Sequence, residues 1–151
     1  MKIFSLLFFV LVCTAVINAQ MKEGDRLAGP TVGIVTESGS ISLGANLEYE
    51  ISQMGSGVFG LGATFRYWTS TTLNSSVLGG QLNYNFNKIG DGKTVPFIGI
   101  MVGFNFAGSD LWAWGQGGVR YFFHKNLAGV ARIGIGNNSF ASPEIGVDFK
   151  F

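Results

Sequence analysis

The only histidine of the chain, His124, stands in a Phe-His-Lys-Asn run. It is the side chain whose ordinary pKa suits proton transfer or metal binding near neutrality. A metal site would need further Cys, His or carboxylate ligands at ligand spacing, and none lies near it in sequence. A general base would need a nucleophile beside it, yet Lys125 and Asn126 follow instead. His124 is therefore read as a turn residue. Gly115-Gln-Gly-Gly118 and Gly55-Ser-Gly57 contain the glycines of a phosphate loop, but neither ends in Lys-Ser/Thr or opens a helix. Trp112 and Trp114 flank Ala113 and offer a surface for a sugar or lipid; interface anchoring or filling of a lumen are simpler uses. No catalytic, metal or cofactor site is expected.

The remaining chemistry is charge, and its spacing is regular. In the last eight residues Ile145, Val147, Phe149 and Phe151 alternate with Glu144, Gly146, Asp148 and Lys150. A helix would scatter these residues round its circumference, whereas a strand separates them onto two faces. Glu48, Glu50, Arg66, Arg120 and Arg132 occupy the polar parity of other runs of this kind. Four carboxylates (Glu48, Glu50, Glu144, Asp148) and four cations (Arg66, Arg120, Arg132, Lys150) thus belong to one face of a sheet.

The sheet accounts for most of the chain. One domain fits 151 residues, charged residues are 13%, glycines number 23 and the mean hydropathy is positive. Outside the amino terminus no apolar run reaches the roughly 18 residues of a membrane helix. Lys2, the apolar stretch from Ile3 to Val12, and Ile17-Asn18-Ala19 form the three parts of an export signal. Residues 1–19 are read as a cleaved signal peptide and 20–151 as the domain. Val12 before Cys13 is not the small residue that a lipoprotein signal carries there. Cleavage removes the only cysteine and Lys2, leaving nine basic and nine acidic side chains. A neutral, cysteine-free chain has no disulfide and no electrostatic reason to bind nucleic acid.

After a short polar leader, Met21 to Asp25, eight strands are expected over roughly 26–35, 41–51, 58–68, 77–87, 95–106, 113–123, 127–136 and 144–151. Turn residues separate them. Most match the about 9 to 11 residues of a tilted membrane strand, against about five or six in soluble sheets. On the apolar parity the even strands finish in aromatics: Tyr49; Tyr84 and Phe86; Tyr121 and Phe123; Phe149 and Phe151. An up-and-down barrel puts these ends on one rim, the position of an aromatic girdle at a membrane interface. Tyr67, Phe104 and Phe106 supply a sparser ring at the other rim. The apolar face then looks out and the charged face into a lumen too narrow to be an open pore; a soluble barrel would reverse this. Pro30 removes one ladder hydrogen bond, so a bulge is expected there.

An export signal, eight amphipathic strands and a carboxyl-terminal Phe151 preceded by Ile145, Val147 and Phe149 resemble the small outer-membrane β-barrel proteins of Gram-negative bacteria. The resemblance implies an eight-stranded antiparallel transmembrane barrel in outer-membrane lipid, with Phe151 and Phe149 as the signal read by the barrel-assembly machinery. It also implies a periplasmic amino terminus and external loops at 36–40, 69–76, 107–112 and 137–143, short compared with adhesive members. Lipid A deacylases of this class pair a His with a nearby Ser on one strand, which the surroundings of His124 do not match. The expected function is a monomeric structural or interaction barrel. A small-ligand-binding or narrow porin-like barrel, and a lipid A-modifying enzyme, are the alternatives. Intact-mass measurement of the exported protein should give a chain beginning at Gln20; the mass of the full precursor would contradict the signal assignment.

Overall fold

The computed structural model describes residues 20–36, 38–69, 74–87, 92–136 and 139–151, the side chains of 139 and 140 excepted. The expected signal peptide and parts of the turn segments lie outside them. Eight strands run β1 Arg26–Ile34, β2 Ile41–Met54, β3 Gly57–Thr69, β4 Ser75–Phe86, β5 Thr94–Asn105, β6 Asp110–His124, β7 Leu127–Gly136 and β8 Ser139–Lys150. Each pairs antiparallel with its sequence neighbours, and β1 pairs with β8 to close the barrel. Closure leaves no sheet edge, which is what lets a β-structure cross lipid with its backbone polar groups satisfied. Among the described residues no helix is long and apolar enough to cross a membrane.

The barrel is inside out relative to a soluble one. Ile135 and Ile145 on its outer face are each 64% exposed, whereas Glu50 and Asn85 in the lumen are 0% exposed. The ladders carry this alternation round the wall: Tyr49, Leu61, Leu82 and Ile100 are consecutive outward partners across β2 to β5. Inward, one ladder row reads Glu50, Gly60, Asn83, Gly99, Gln116, Gly134, Ser142. Long polar side chains take turns with glycine because eight strands enclose space for little more than their own side chains. A Cβ added at Gly44 would stand 2.7 Å from Nη1 of Arg66, and one at Gly134 would collide with the Trp114 indole.

Several strand limits differ from expectation. β8 begins at Ser139 rather than Glu144: Pro143 sits outward opposite Ile133, and the ladder to β7 continues through Ser142↔Gly134 and, past a register shift, Ser139↔Gly136. β6 begins at Asp110, opposite Asn105, so the expected loops at 107–112 and 137–143 are shorter still. β2 runs on to Met54 by absorbing a bulge at Glu50/Ser52, and then turns through Gly55, whose φ of 59° suits glycine in a two-residue hairpin. The bulge expected at Pro30 is absent. Pro30 pairs with Ala45, and the β1–β8 register is the same before it (Ala28↔Phe149) and after it (Thr31↔Gly146). The missing donor is absorbed as a local gap in pairing rather than as an inserted residue. Bulges lie instead at Glu50/Ser52, Phe122/His124 and Gly134/Gly136.

Both described chain ends, Gln20 and Phe151, lie at one end of the barrel, called here the terminal end; the other is the distal end. Tyr49, Tyr121, Phe123, Phe149 and Phe151 point outward at the terminal end. Tyr84 belongs to the same ring, with its centroid 4.9 Å from Phe59 and 4.8 Å from Phe86. Phe104 and Phe106 pack edge to face at the distal end, 5.4 Å apart. The alternation makes a direct test available, since residues 20–151 contain no cysteine. In bilayer-reconstituted protein, a fluorophore on Ile100→Cys should be quenched by brominated lipid, while Met101→Cys should resist labelling until the barrel is unfolded. The opposite pattern would place lipid on the wrong face.

Candidate functional site: the lumenal charge network

The lumen is built in three layers. At the terminal end Leu27, Val58, Val95, Phe122 and Ala128 form an apolar layer completed by Met21. At the distal end Val77, Met101, Trp112 and Trp114 form another, with Trp68 packed against it. Trp112 and Trp114 stack at 5.0 Å, and both are buried, so of the uses considered for this pair they fill the lumen. Between the two layers lie the charges.

Glu144 on β8 holds two arginines. Its Oε1 accepts from Arg66 Nε at 3.1 Å and from Ser42 Oγ at 3.2 Å, and its Oε2 accepts from Arg132 Nε at 2.7 Å and Thr31 Oγ1 at 3.3 Å. Arg132 Nη2 approaches the same carboxylate to 2.6 Å. Asn46 Oδ1 accepts from both guanidiniums, at 2.9 Å from Arg66 and 3.2 Å from Arg132. Nearer the terminal end the arrangement inverts, one arginine between two carboxylates. Arg120 donates from Nη2 to Glu48 and from Nε to Asp148, each at 2.7 Å, donates also to Asn85 Oδ1, and lies 4.4 Å over the Phe97 ring. Asn83 and Asn85 donate to Glu48 at 2.7 and 2.8 Å, and Asn85 Nδ2 also reaches Glu50 at 3.1 Å. Gln116 joins the clusters, donating to Asn83 at 2.7 Å and accepting from Arg132 at 3.4 Å.

Seven of the eight charged residues singled out from sequence therefore meet in one layer. The eighth, Lys150, does not: its Nζ pairs with Asp25 at 3.3 Å and donates to the Gln20 carbonyl at 3.4 Å. Its height at the end of β8 sets it beside the leader, away from the central carboxylates. Glu50 makes no ion pair among the described residues. The leader itself is more than a polar lead-in. Met21 is 2% exposed; its N–H donates to Asn87 Oδ1 at 3.1 Å, and Asn87 Nδ2 returns a hydrogen bond to the Met21 carbonyl. Nothing in the sequence pattern marks Met21 as part of the core. Phe122, by contrast, lies two positions beyond Arg120 and could have been placed inward by parity.

The arrangement neutralises and fills. Its carboxylates are occupied by guanidinium and amide donors, and no group of His, Cys, Asp and Glu among the described residues could hold a metal ion. His124 is exposed at the terminal rim, opposite Leu127 at the end of the β6–β7 ladder. Among the described residues, the buried side-chain atoms left without a hydrogen-bond partner are Trp68 Nε1, Gln81 Oε1 and Ser142 Oγ.

An isolated buried arginine is costly, so removal of a shared carboxylate should be felt strongly. Glu144→Gln, leaving Arg66 and Arg132 unneutralised, should destabilise the folded barrel by about 3–5 kcal/mol in urea titrations from lipid vesicles. Lys150→Met, which leaves one half-buried carboxylate that keeps its Lys22 N–H donor, should cost less, about 1 kcal/mol. Equal losses would mean that the central layer is hydrated like the rim.

No protein-family model and no curated protein sequence matches the chain. Solved structures do. A de novo designed transmembrane β-barrel superimposes with a TM-score of 0.69 at 17% identity, over 87% of this chain and 99% of that one. The N-terminal β-barrel domain of Pseudomonas aeruginosa OprF gives 0.68 at 12% identity, over 87% and 100%. The outer membrane enzyme PagL gives 0.54 at 17% identity, over 83% and 98%. The chain has the closed eight-stranded antiparallel β-barrel fold of the small bacterial outer-membrane proteins.

Proposed function

We propose that the protein is a monomeric structural or interaction barrel of the bacterial outer membrane, starting at Gln20 after export, with neither an open pore nor a catalytic site. The observation that carries this is the lumen: an ionic layer whose arginines and carboxylates engage one another lies between two apolar layers, while the apolar residues of the wall face outward. Such a surface is stable only against lipid, and such an interior favours a closed lumen over a continuous aqueous path. Tyr49, Tyr84, Phe86, Tyr121 and Phe123 are then the girdle at the periplasmic interface. Phe149 and Phe151 are the residues that the assembly machinery reads.

The similarity to PagL makes the catalytic question concrete, since one fold hosts many functions. The support for a non-enzymatic reading is local: His124 stands at a solvent-exposed turn with Lys125 and Asn126 as neighbours, away from the lumen and its polar groups. The test has three readouts. The protein should fractionate with the outer membrane and run as a heat-modifiable band, planar bilayers containing it should show no steady conductance, and lipid A mass spectra should be the same with and without the gene. A soluble periplasmic protein, a porin-like conductance or a gene-dependent lipid A change would each overturn the corresponding part.

A further inference from the structure

Among the described grooves of the outer face, one differs in kind. Two others, one lined by Phe59, Leu82, Asn83, Tyr84, Ile98 and Ile100 and one by Val32, Ile34, Pro143 and Ile145, carry no charged side chain. The third, of about 500 Å3, is lined by Leu47, Tyr49 and Phe151 with Arg26 at its head. Glu48 also borders it, but its carboxylate is engaged by Arg120 inside the lumen. The groove lies at the seam where β1 joins β8. There Arg26 N–H donates to a terminal carboxylate oxygen of Phe151 at 3.2 Å and Phe151 N–H to the Arg26 carbonyl at 3.0 Å. The backbone is fixed, and the exposed guanidinium is steered by the Tyr49 ring, whose centroid is 5.8 Å from Cζ.

Arg26 forms no ion pair among the described residues, in contrast to the three lumenal arginines. It is also the cation of a rim with a definite sign. Among the described residues the terminal rim carries Lys22, Arg26 and Lys125 against Glu23 and the Phe151 carboxylate, with Asp25 held by Lys150. Of charged groups the described distal rim carries Asp110 and no cation. A guanidinium at girdle height, with an apolar channel running from it along the wall, matches a phosphate followed by an acyl chain.

We propose that the seam groove binds an anionic phospholipid, with its phosphate on Arg26 and an acyl chain along Leu47, Tyr49 and Phe151. This rests on the membrane reading above. The bound lipid seals the closing strand pair and fixes the terminal rim at the phosphate level of its leaflet; the distal rim, lacking cations, has no equivalent site.

Folded protein in detergent, supplied with equal amounts of phosphatidylglycerol and phosphatidylcholine and examined by native mass spectrometry, tests this. The wild type should retain phosphatidylglycerol in preference to phosphatidylcholine. Arg26→Gln should lower that retention about five-fold, the effect of one cation at a lipid surface, while Lys125→Gln, a rim cation outside the groove, keeps it. Inorganic phosphate should not displace the lipid. Equal retention of both lipids by the wild type, an equal effect of Lys125→Gln, or displacement by phosphate alone would overturn the site. The wild-type preference decides the matter should Arg26→Gln fail to fold. Absence of a heat-modifiable folded form in detergent would instead strike at the membrane reading, so the two failures are distinguishable.

Discussion

Arg120, clamped between Glu48 and Asp148, and Glu144, clamped between Arg66 and Arg132, are the constraint on which the barrel depends. A charge removed from water costs several kcal/mol unless a partner and further hydrogen bonds replace its hydration. Here each partner comes from a different part of the wall: β2, β6 and β8 for Arg120, and β3, β7 and β8 for Glu144. The charges are neutralised only when all those strands have their native register. A slip of one residue would turn an arginine toward lipid and an isoleucine into the lumen. The network therefore specifies register more than it adds net stability, consistent with the modest net worth of buried ion pairs.

Space follows from the same requirement. Guanidiniums and long amides fit an eight-stranded lumen only where neighbouring positions carry no side chain, as Gly44 does for Arg66 and Gly60 for Glu48. The glycine content is thus a consequence of lumenal packing rather than of turns alone. The apolar layers then separate the charges from both mouths. At the terminal mouth Met21 completes that layer from outside the sheet, tied down by Asn87 and by the Lys150–Asp25 pair.

Parity carried most of the fold. Alternation in Glu144–Phe151 and the aromatic ends of the even strands lead to eight antiparallel strands with the charged face inward, since a period of two is a local property of sequence. Following that parity further would have placed Phe122 and Trp114 in the lumen as well. The pairings within the charged layer are another matter: which carboxylate meets which arginine depends on barrel shear, a property of the closed sheet. Lys150 illustrates the limit. Its parity is lumenal, yet its height sets it against Asp25 of the leader, and no sequence period reports height. Pro30 illustrates another, because a missing donor can be met by a bulge or by a gap, and only the surrounding ladder decides between them.

A designed barrel with no evolutionary history shares this fold at a TM-score of 0.69, so the fold by itself carries no function, and what is particular to this chain lies in its side chains, the lumenal charges above all. The most direct test of their role is a double-mutant cycle on Arg120→Met and Asp148→Asn, with unfolding free energies measured in lipid vesicles. Charges that depend on one another across a dry interior should give a coupling above about 1 kcal/mol, each single change costing most of what the pair costs. Additivity to within about 0.5 kcal/mol would show that the two groups are independently hydrated, and the lumen would then be a water-filled channel rather than a core.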